Sequence, residues 1–166
     1  MNKKGFTIIE VTVTLAILGI ISAIAIPSYV SWLPKHRLQT SVRNIYDDLN
    51  MARSRAVRTN IVAVAIFNIP QDTYTIFLDT SGDGLLNGVE TVLSNGLLAD
   101  GVDVTGTTFS FNTLGFNNRG MPATALNGQD DDVYLTNSSG LFIGVRVTIA
   151  GGLSIITSTD GGTTWS

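Results

Sequence analysis

The sequence predicts an α+β chain: one long N-terminal helix, transmembrane in its first half, whose second half packs on an antiparallel β-sheet domain. Three observations carry this. Phe6 to Ile26 is an apolar run of 21 residues, long enough to cross a hydrocarbon layer of ~30 Å at ~1.5 Å per residue. Leu38, Val42, Ile45, Leu49, Ala52 and Ala56 then recur at alternating steps of four and three, which lays an apolar stripe along one helix face. From Ile61 onward, β-branched and aromatic runs alternate with Gly, Asn and Asp clusters, the pattern of short strands and turns.

Composition sets the limits. A chain of 166 residues suffices for one domain with a moderate core. Hydrophobic residues make up 44% and charged residues only 14%, so the soluble surface leans on Ser, Thr, Asn and Gly. The absence of cysteine excludes disulfides, thiolate metal sites and cysteine nucleophiles. Charge is divided along the chain. Residues 59–166 hold ten acids against two arginines, Arg119 and Arg146. That disfavours a nucleic-acid surface, which needs clustered Lys and Arg. It fits a solvated extracellular domain able to hold divalent cations.

The N-terminus admits three readings. Lys3, Lys4 and the apolar run form an ordinary secretory signal, with cleavage after Ala23-Ile24-Ala25. The same run serves equally as a plain membrane anchor. Glu10 argues against both, because a carboxylate in a bilayer core costs about 3 kcal/mol without a partner. If cleavage falls between Gly5 and Phe6, the new α-amine lies four residues from Glu10. Such an amine titrates near ~8 and is mostly cationic at neutral pH. The amine of one subunit then neutralises the glutamate of another, and assembly is preferred over the free chain.

GFTIIEVTVTLAILGIISAIAIPSY resembles the class III leader and N-terminal helix of type IV pilins and pseudopilins. The resemblance implies cleavage after Gly5 by a prepilin peptidase, N-methylation of the new terminal Phe6, and an assembly role for Glu10. It also implies an inner-membrane protein with a single span, its domain outside the cytoplasm, later packed with other pilin or pseudopilin subunits. On this reading residues 1–5 are a leader and 6–30 the transmembrane and filament-core helix. Residues 31–60 are an amphipathic helix half and 61–166 a β-rich domain.

Proline lacks the amide hydrogen and clashes with the preceding turn, so helix kinks are expected at Pro27 and Pro34. The helix is otherwise expected from Phe6 to about Asn60. IVAVAIFN and TYTIFLD flank Pro70 as a hairpin. TVLS, VDVTGTTFSFN, VYLTN, LFIGVRVTIA and LSIITS follow as strand runs. Gly151-Gly152 reads as a tight hairpin turn, and Asn117 to Gly120 and Leu126 to Asp132 as loops. The order of these parts resembles the GspH/FimT family of minor type IV pilins and the minor pseudopilin of type II secretion.

Residues Asp79 to Glu90 read DTSGDGLLNGVE. Against the twelve-residue calcium loop, Asp79, Ser81, Asp83, Leu85 (through its carbonyl), Asn87 and Glu90 fall at the ligand positions. Gly84 falls at the obligatory turn. Strands rather than helices flank this loop, and a polar β-turn without metal accounts for the same residues. Asp130-Asp131-Asp132 is expected to be a solvated loop, since three adjacent residues cannot all face one ion. The segment STDGGTTWS matches an Asp-box at Ser158, Asp160, Gly162, Thr164 and Trp165. It is read as a structural turn, with Trp165 covering an edge of the core.

His36 is the only histidine, so neither a common zinc site nor a Ser-His-Asp arrangement is available. The glycine steps lack the strand–glycine–helix context of a phosphate loop. No enzyme and no small-molecule substrate are expected. The function expected is a structural minor pilin or pseudopilin. The alternatives are a major type IV pilin and a membrane-tethered extracellular module that binds through calcium.

Overall fold

The computed structural model describes residues 5–123 and 129–166. Lys3, Lys4 and residues 126–128 of the expected Leu126 to Asp132 loop lie outside the described residues. Helix α1 runs Ile8–Thr59 and stays helical through Pro27 and Pro34. The chain divides into two compact units, Met1–Leu33 and Pro34–Ser166.

In the first unit every described residue up to Trp32 is exposed. The exposed set includes Phe6, Ile8, Ile9, Leu15, Ile17, Leu18, Ile20, Ile21, Ile24 and Ile26. The helix is long and apolar enough here to cross a membrane. An apolar surface of this extent is stable only in lipid or among other helices.

In the second unit, α1 buries Leu38, Ser41, Val42, Ile45, Leu49, Ala52 and Ala56, the predicted stripe with Ser41 added. Among the described residues, eight strands form two antiparallel sheets. The first holds β1 (Val62–Asn68), β2 (Thr73–Asp79), β3 (Thr91–Leu97) and β5 (Thr113–Phe116), in the order β3-β2-β1-β5. The second holds β4 (Val102–Thr107), β6 (Asp131–Asn137), β7 (Phe142–Val147) and β8 (Leu153–Ser158), in the order β4-β6-β7-β8. One core joins the helix stripe to both sheets, through Ala63, Ala65, Ile76 and Leu114 of the first and Val133, Leu135, Val145 and Val147 of the second. Polar clamps fix the helix at several levels. The Tyr74 hydroxyl (2.8 Å) and the Ser94 hydroxyl (2.7 Å) both donate to Asp48 Oδ2. The Ala99 amide donates to Ser41 Oγ, and Arg53 Nε donates to the Gly120 carbonyl. Burial, reinforced by the Asp48 carboxylate, pushes the Tyr74 hydroxyl well above the usual phenol range.

Three local expectations are corrected. The run from Val102 to Asn112 is not one strand. It stops at Thr107, and Phe111 and Asn112 take left-handed conformations with φ +54° and +55°. The chain must cross there from the second sheet to the first. Second, the β7–β8 turn is not centred on Gly151-Gly152. The Gly151 amide donates to the Thr148 carbonyl and the Thr148 amide to the Gly152 carbonyl. Ile149, Ala150 and Gly151 are thus the turn, with Gly151 left-handed at φ +80°. Third, Asp131 and Asp132 are not solvated loop residues: they open β6 and are buried.

Gly151 gives a direct test. A Cβ there would collide with the backbone carbonyl of Gly120, and the positive φ is itself unfavourable for alanine. Gly151→Ala is expected to lower stability by about 3 kcal/mol, combining overpacking and backbone strain, measurable by thermal denaturation.

Candidate functional site

Helix α1 begins at Ile8, so Thr7 is its N-cap and Glu10 its third residue. The Thr7 amide (2.8 Å) and hydroxyl (2.9 Å) both donate to Glu10 Oε2, and the Glu10 amide donates to Thr7 Oγ1 at 3.3 Å. This is a capping box, in which two otherwise unpaired amides are satisfied reciprocally. Glu10 therefore has a partner within its own chain, which the sequence reading did not assign. The signal was present as the Thr-x-x-Glu spacing of Thr7 and Glu10. Gly5 and Phe6 are exposed ahead of the helix.

The acidic loop closes on itself. Strand β2 delivers Asp79 at its last residue, and Gly82 and Gly84, at φ +77° and +71°, bend the chain back. Ser81 Oγ lies 3.2 Å from Asp79 Oδ1, 2.8 Å from Asp83 Oδ1 and 3.0 Å from Glu90 Oε1. Backbone amides supply further donors: Gly82 and Gly84 to Asp79, Leu85 to Asp83, Asn87 and Val89 to Glu90. Asn87 Nδ2 donates to Asp83 Oδ2. The carboxylate oxygens of Asp79, Asp83 and Glu90 lie within 4.8 Å of one another, a spacing suited to one metal ion. Ser81 has a single hydrogen to offer three carboxylates, and the other donors to them are neutral amides, so three like charges converge with no cation among them.

The Leu85 amide, and then Ser81, lower the Asp83 carboxyl. Desolvation pushes Glu90 up, but donors from Asn87 and its neighbours outweigh it and lower the net value. A depressed folded value means stability that is present above the ordinary carboxylate range and lost as pH falls through the folded values. Acid titration of the melting temperature below about pH 4 is expected to show this loss. It should be reduced in Asp83→Asn and Glu90→Gln.

The Asp130 to Asp132 cluster is used structurally. Asp132 sits opposite Arg146 in the β6–β7 register. It accepts from Arg146 Nε at 2.9 Å and Nη2 at 2.8 Å, a two-point pair. The Tyr134 hydroxyl adds a third donor at 2.9 Å. Asp131 is held by Thr108 Oγ1, and burial pushes its carboxyl up. Asp130 Oδ1 accepts from the Ile149 amide, so each of the three carboxylates has a protein donor.

The last turn follows the Asp-box reading. Asp160 Oδ1 accepts from Ser158 Oγ and from the amides of Thr163 and Thr164, and Asp160 Oδ2 accepts from Thr164 Oγ1. The Gly162 amide donates to Ser158 Oγ, and Trp165 Nε1 to the Gly162 carbonyl. The indole stacks on Tyr134 of β6, an interior strand, with ring centroids 4.4 Å apart, so Trp165 packs over the face of the second sheet rather than standing free.

With this geometry in hand, comparisons locate the chain. The prokaryotic N-terminal methylation motif matches residues 1–26. The family described as type II transport protein GspH matches residues 41–153. Among solved structures, the type IV minor pilin FimU of Pseudomonas aeruginosa is similar at 14% identity and a TM-score of 0.57, covering 73% of this chain and 89% of that one. The minor pseudopilin EpsH from the type 2 secretion system of Vibrio cholerae is similar at 12% identity and a TM-score of 0.56, covering 75% and 99%. At these identities the likeness establishes the fold: a long helix packed on two antiparallel sheets. The match across most of the second unit, downstream of the methylation motif, establishes the family, and the chain belongs to the GspH family of type IV pilin-like proteins.

Proposed function

We propose that this chain is a structural, non-catalytic subunit, a minor pilin or pseudopilin of a type IV pilus or a type II secretion pseudopilus. The observation that carries this is the methylation motif over residues 1–26, set on a helix whose apolar surface is exposed all round. A prepilin peptidase cuts between Gly5 and Phe6 and Phe6 is methylated. The helix from Phe6 to about Pro27 holds the chain in the bacterial inner membrane, with the β domain outside the cytoplasm. Assembly transfers that helix from lipid to the company of other subunits' helices, where Glu10 pairs with a neighbour's terminal amine. Family membership favours this over a major pilin and over a membrane-tethered binding module. The test is N-terminal mass spectrometry of protein from native membranes. A methylated Phe6 start is the expected result. A start at Ile26, or a retained Met1, would remove the reading.

For the acidic loop we propose calcium as the ion, held by Asp79, Ser81, Asp83, Asn87, Glu90 and the Leu85 carbonyl. The all-oxygen donor set and the positive φ of Gly84 support it. Sites of this charge in extracellular modules bind at about 10⁻⁴ M. At a hundredfold excess of calcium over that value, stabilisation is about 2.7 kcal/mol. The expected result is a higher melting temperature with calcium than with chelator, and no difference in Asp79→Asn. Equal melting with and without calcium, together with no calorimetric binding, would exclude the ion.

A further inference from the structure

We propose that the outer edge of β8, with the groove beside it, receives an extended acidic segment of a neighbouring, different filament subunit, which joins the second sheet as an added strand. The inference rests on the filament reading above.

Strand β8 is the last in its sheet. The Thr148 amide bonds the Gly152 carbonyl across the β7–β8 turn. Ladder partners alternate, so Gly152, Ser154, Ile156 and Ser158 face β7, while Leu153, Ile155 and Thr157 turn their main chain outward. Thr157 confirms the phase: its amide and carbonyl pair with Ser166 on the outer side, at 2.9 and 3.1 Å. Leu153 and Ile155 meet no main-chain partner there among the described residues. A row of unpaired amides and carbonyls is a template for another strand.

Beside this edge lies a groove of about 490 Å³. Its walls include His36, Thr40 and Arg43 from α1 and Ile155 and Thr157 from β8. Helix and strand edge therefore enclose the space where the inward side chains of a ninth strand would go. The other edges differ. The outer side of β5 is engaged by residues 121–123, through the bridge between Phe116 and Pro122 and the bond from Ala123 to Gly115. In β4, the Val104 amide is taken by the Asp72 carboxylate. Strand β3 is free but borders no groove among those described.

Charge selects the occupant. Arg43 is exposed and forms no ion pair among the described residues. It stands on the basic stretch of α1, where Lys35, Arg37, Arg53, Arg55 and Arg58 accompany it against Asp47 and Asp48, and Arg37 is already paired with Asp100. A carboxylate on the incoming strand satisfies Arg43, and main-chain bonds to Leu153 and Ile155 set its register. This is strand addition, in which the backbone supplies affinity and the groove supplies choice.

Three variants of the full chain, expressed with its companion subunits, test this. Ile155→Pro removes an outward amide and leaves the β7 ladder intact. Arg43→Glu reverses the charge, and Arg43→Lys keeps it. Ile155→Pro and Arg43→Glu are expected to melt within a few degrees of wild type and to enter filaments at least tenfold less, while Arg43→Lys enters normally. A photo-cross-linker at position 155 should attach to an extended, acid-bearing segment of a different subunit, and the adduct should vanish in Arg43→Glu. Should Ile155→Pro unfold the domain, Arg43→Glu and the adduct carry the decision. Wild-type incorporation of Arg43→Glu, or an adduct on lipid, on a second copy of this chain or on a neighbour's helix, overturns the proposal. If wild-type protein itself never enters filaments, it is the filament reading that fails.

Discussion

A Glu10→Ala variant is expected to insert in the membrane, fold its β domain normally and enter filaments at least tenfold less than wild type. Two effects act at that position and they separate. Alanine removes the two bonds that Glu10 Oε2 accepts from Thr7, at 2.8 and 2.9 Å, and keeps the one from the residue-10 amide to Thr7 Oγ1, which weakens the helix start by about 1 kcal/mol. It also removes the negative charge. In an apolar filament core the carboxylate and a neighbour's terminal amine need each other, because either one alone is a buried charge without a partner, worth about 3–5 kcal/mol. Glu10→Gln keeps the capping geometry, since glutamine serves at that place in a capping box, but carries no charge. If charge pairing drives assembly, both variants fail. If only the alanine variant fails, the helix cap is what matters and the pairing mechanism is wrong. Filament yield, normalised to membrane-inserted protein, is the measurement.

The largest effect inside the β domain is expected from Arg146→Ala, a loss of about 3 kcal/mol. Asp132 is 4% exposed and takes two bonds from the guanidinium at 2.9 and 2.8 Å. Truncating Arg146 leaves that carboxylate desolvated with one remaining side-chain donor, the Tyr134 hydroxyl. Removing one member of such a pair is far more damaging than removing both. Accordingly, Arg146→Met combined with Asp132→Leu should recover most of the loss in a chemical denaturation experiment. Tyr134 reports on the pair independently. Burial first, and then the bond to Asp132, push its hydroxyl up to about 12. Ultraviolet titration should place it nearer the ordinary value of about 10 in the double variant. A loss below 1 kcal/mol for Arg146→Ala would mean that the exposed part of the arginine leaves water free to replace it.

Much of this could be read from sequence where a period or a fixed spacing carries the information. The helix stripe from Leu38 to Ala56 was legible because packing on a sheet demands one face of a 3.6-residue repeat. The β1–β2 hairpin was legible from two apolar runs around Pro70. The acidic loop was legible because its alternate residues turn oxygens inward at spacings that the chain fixes locally. Long-range pairing was not. Asp131 and Asp132 look like solvated residues until the β6–β7 register sets Asp132 against Arg146, fourteen positions away. Likewise Val102 to Asn112 reads as one strand, because nothing local says that two different sheets must share it. Thr7 is a different case: its Thr-x-x-Glu spacing to Glu10 is a local signal that the sequence carries in full.

The turn from Ser158 to Trp165 has one further consequence. All of its side-chain bonds are made within eight residues, and a single stacked ring pair, Trp165 on Tyr134, ties its tip to β6. Its shape is therefore self-prescribed and owes little to the sheet it hangs from. A loop of that kind is portable: grafted onto another hairpin of suitable width, it should keep its form, provided the host offers a facing aromatic in the place of Tyr134 and room for Gly162 where Phe142 approaches it.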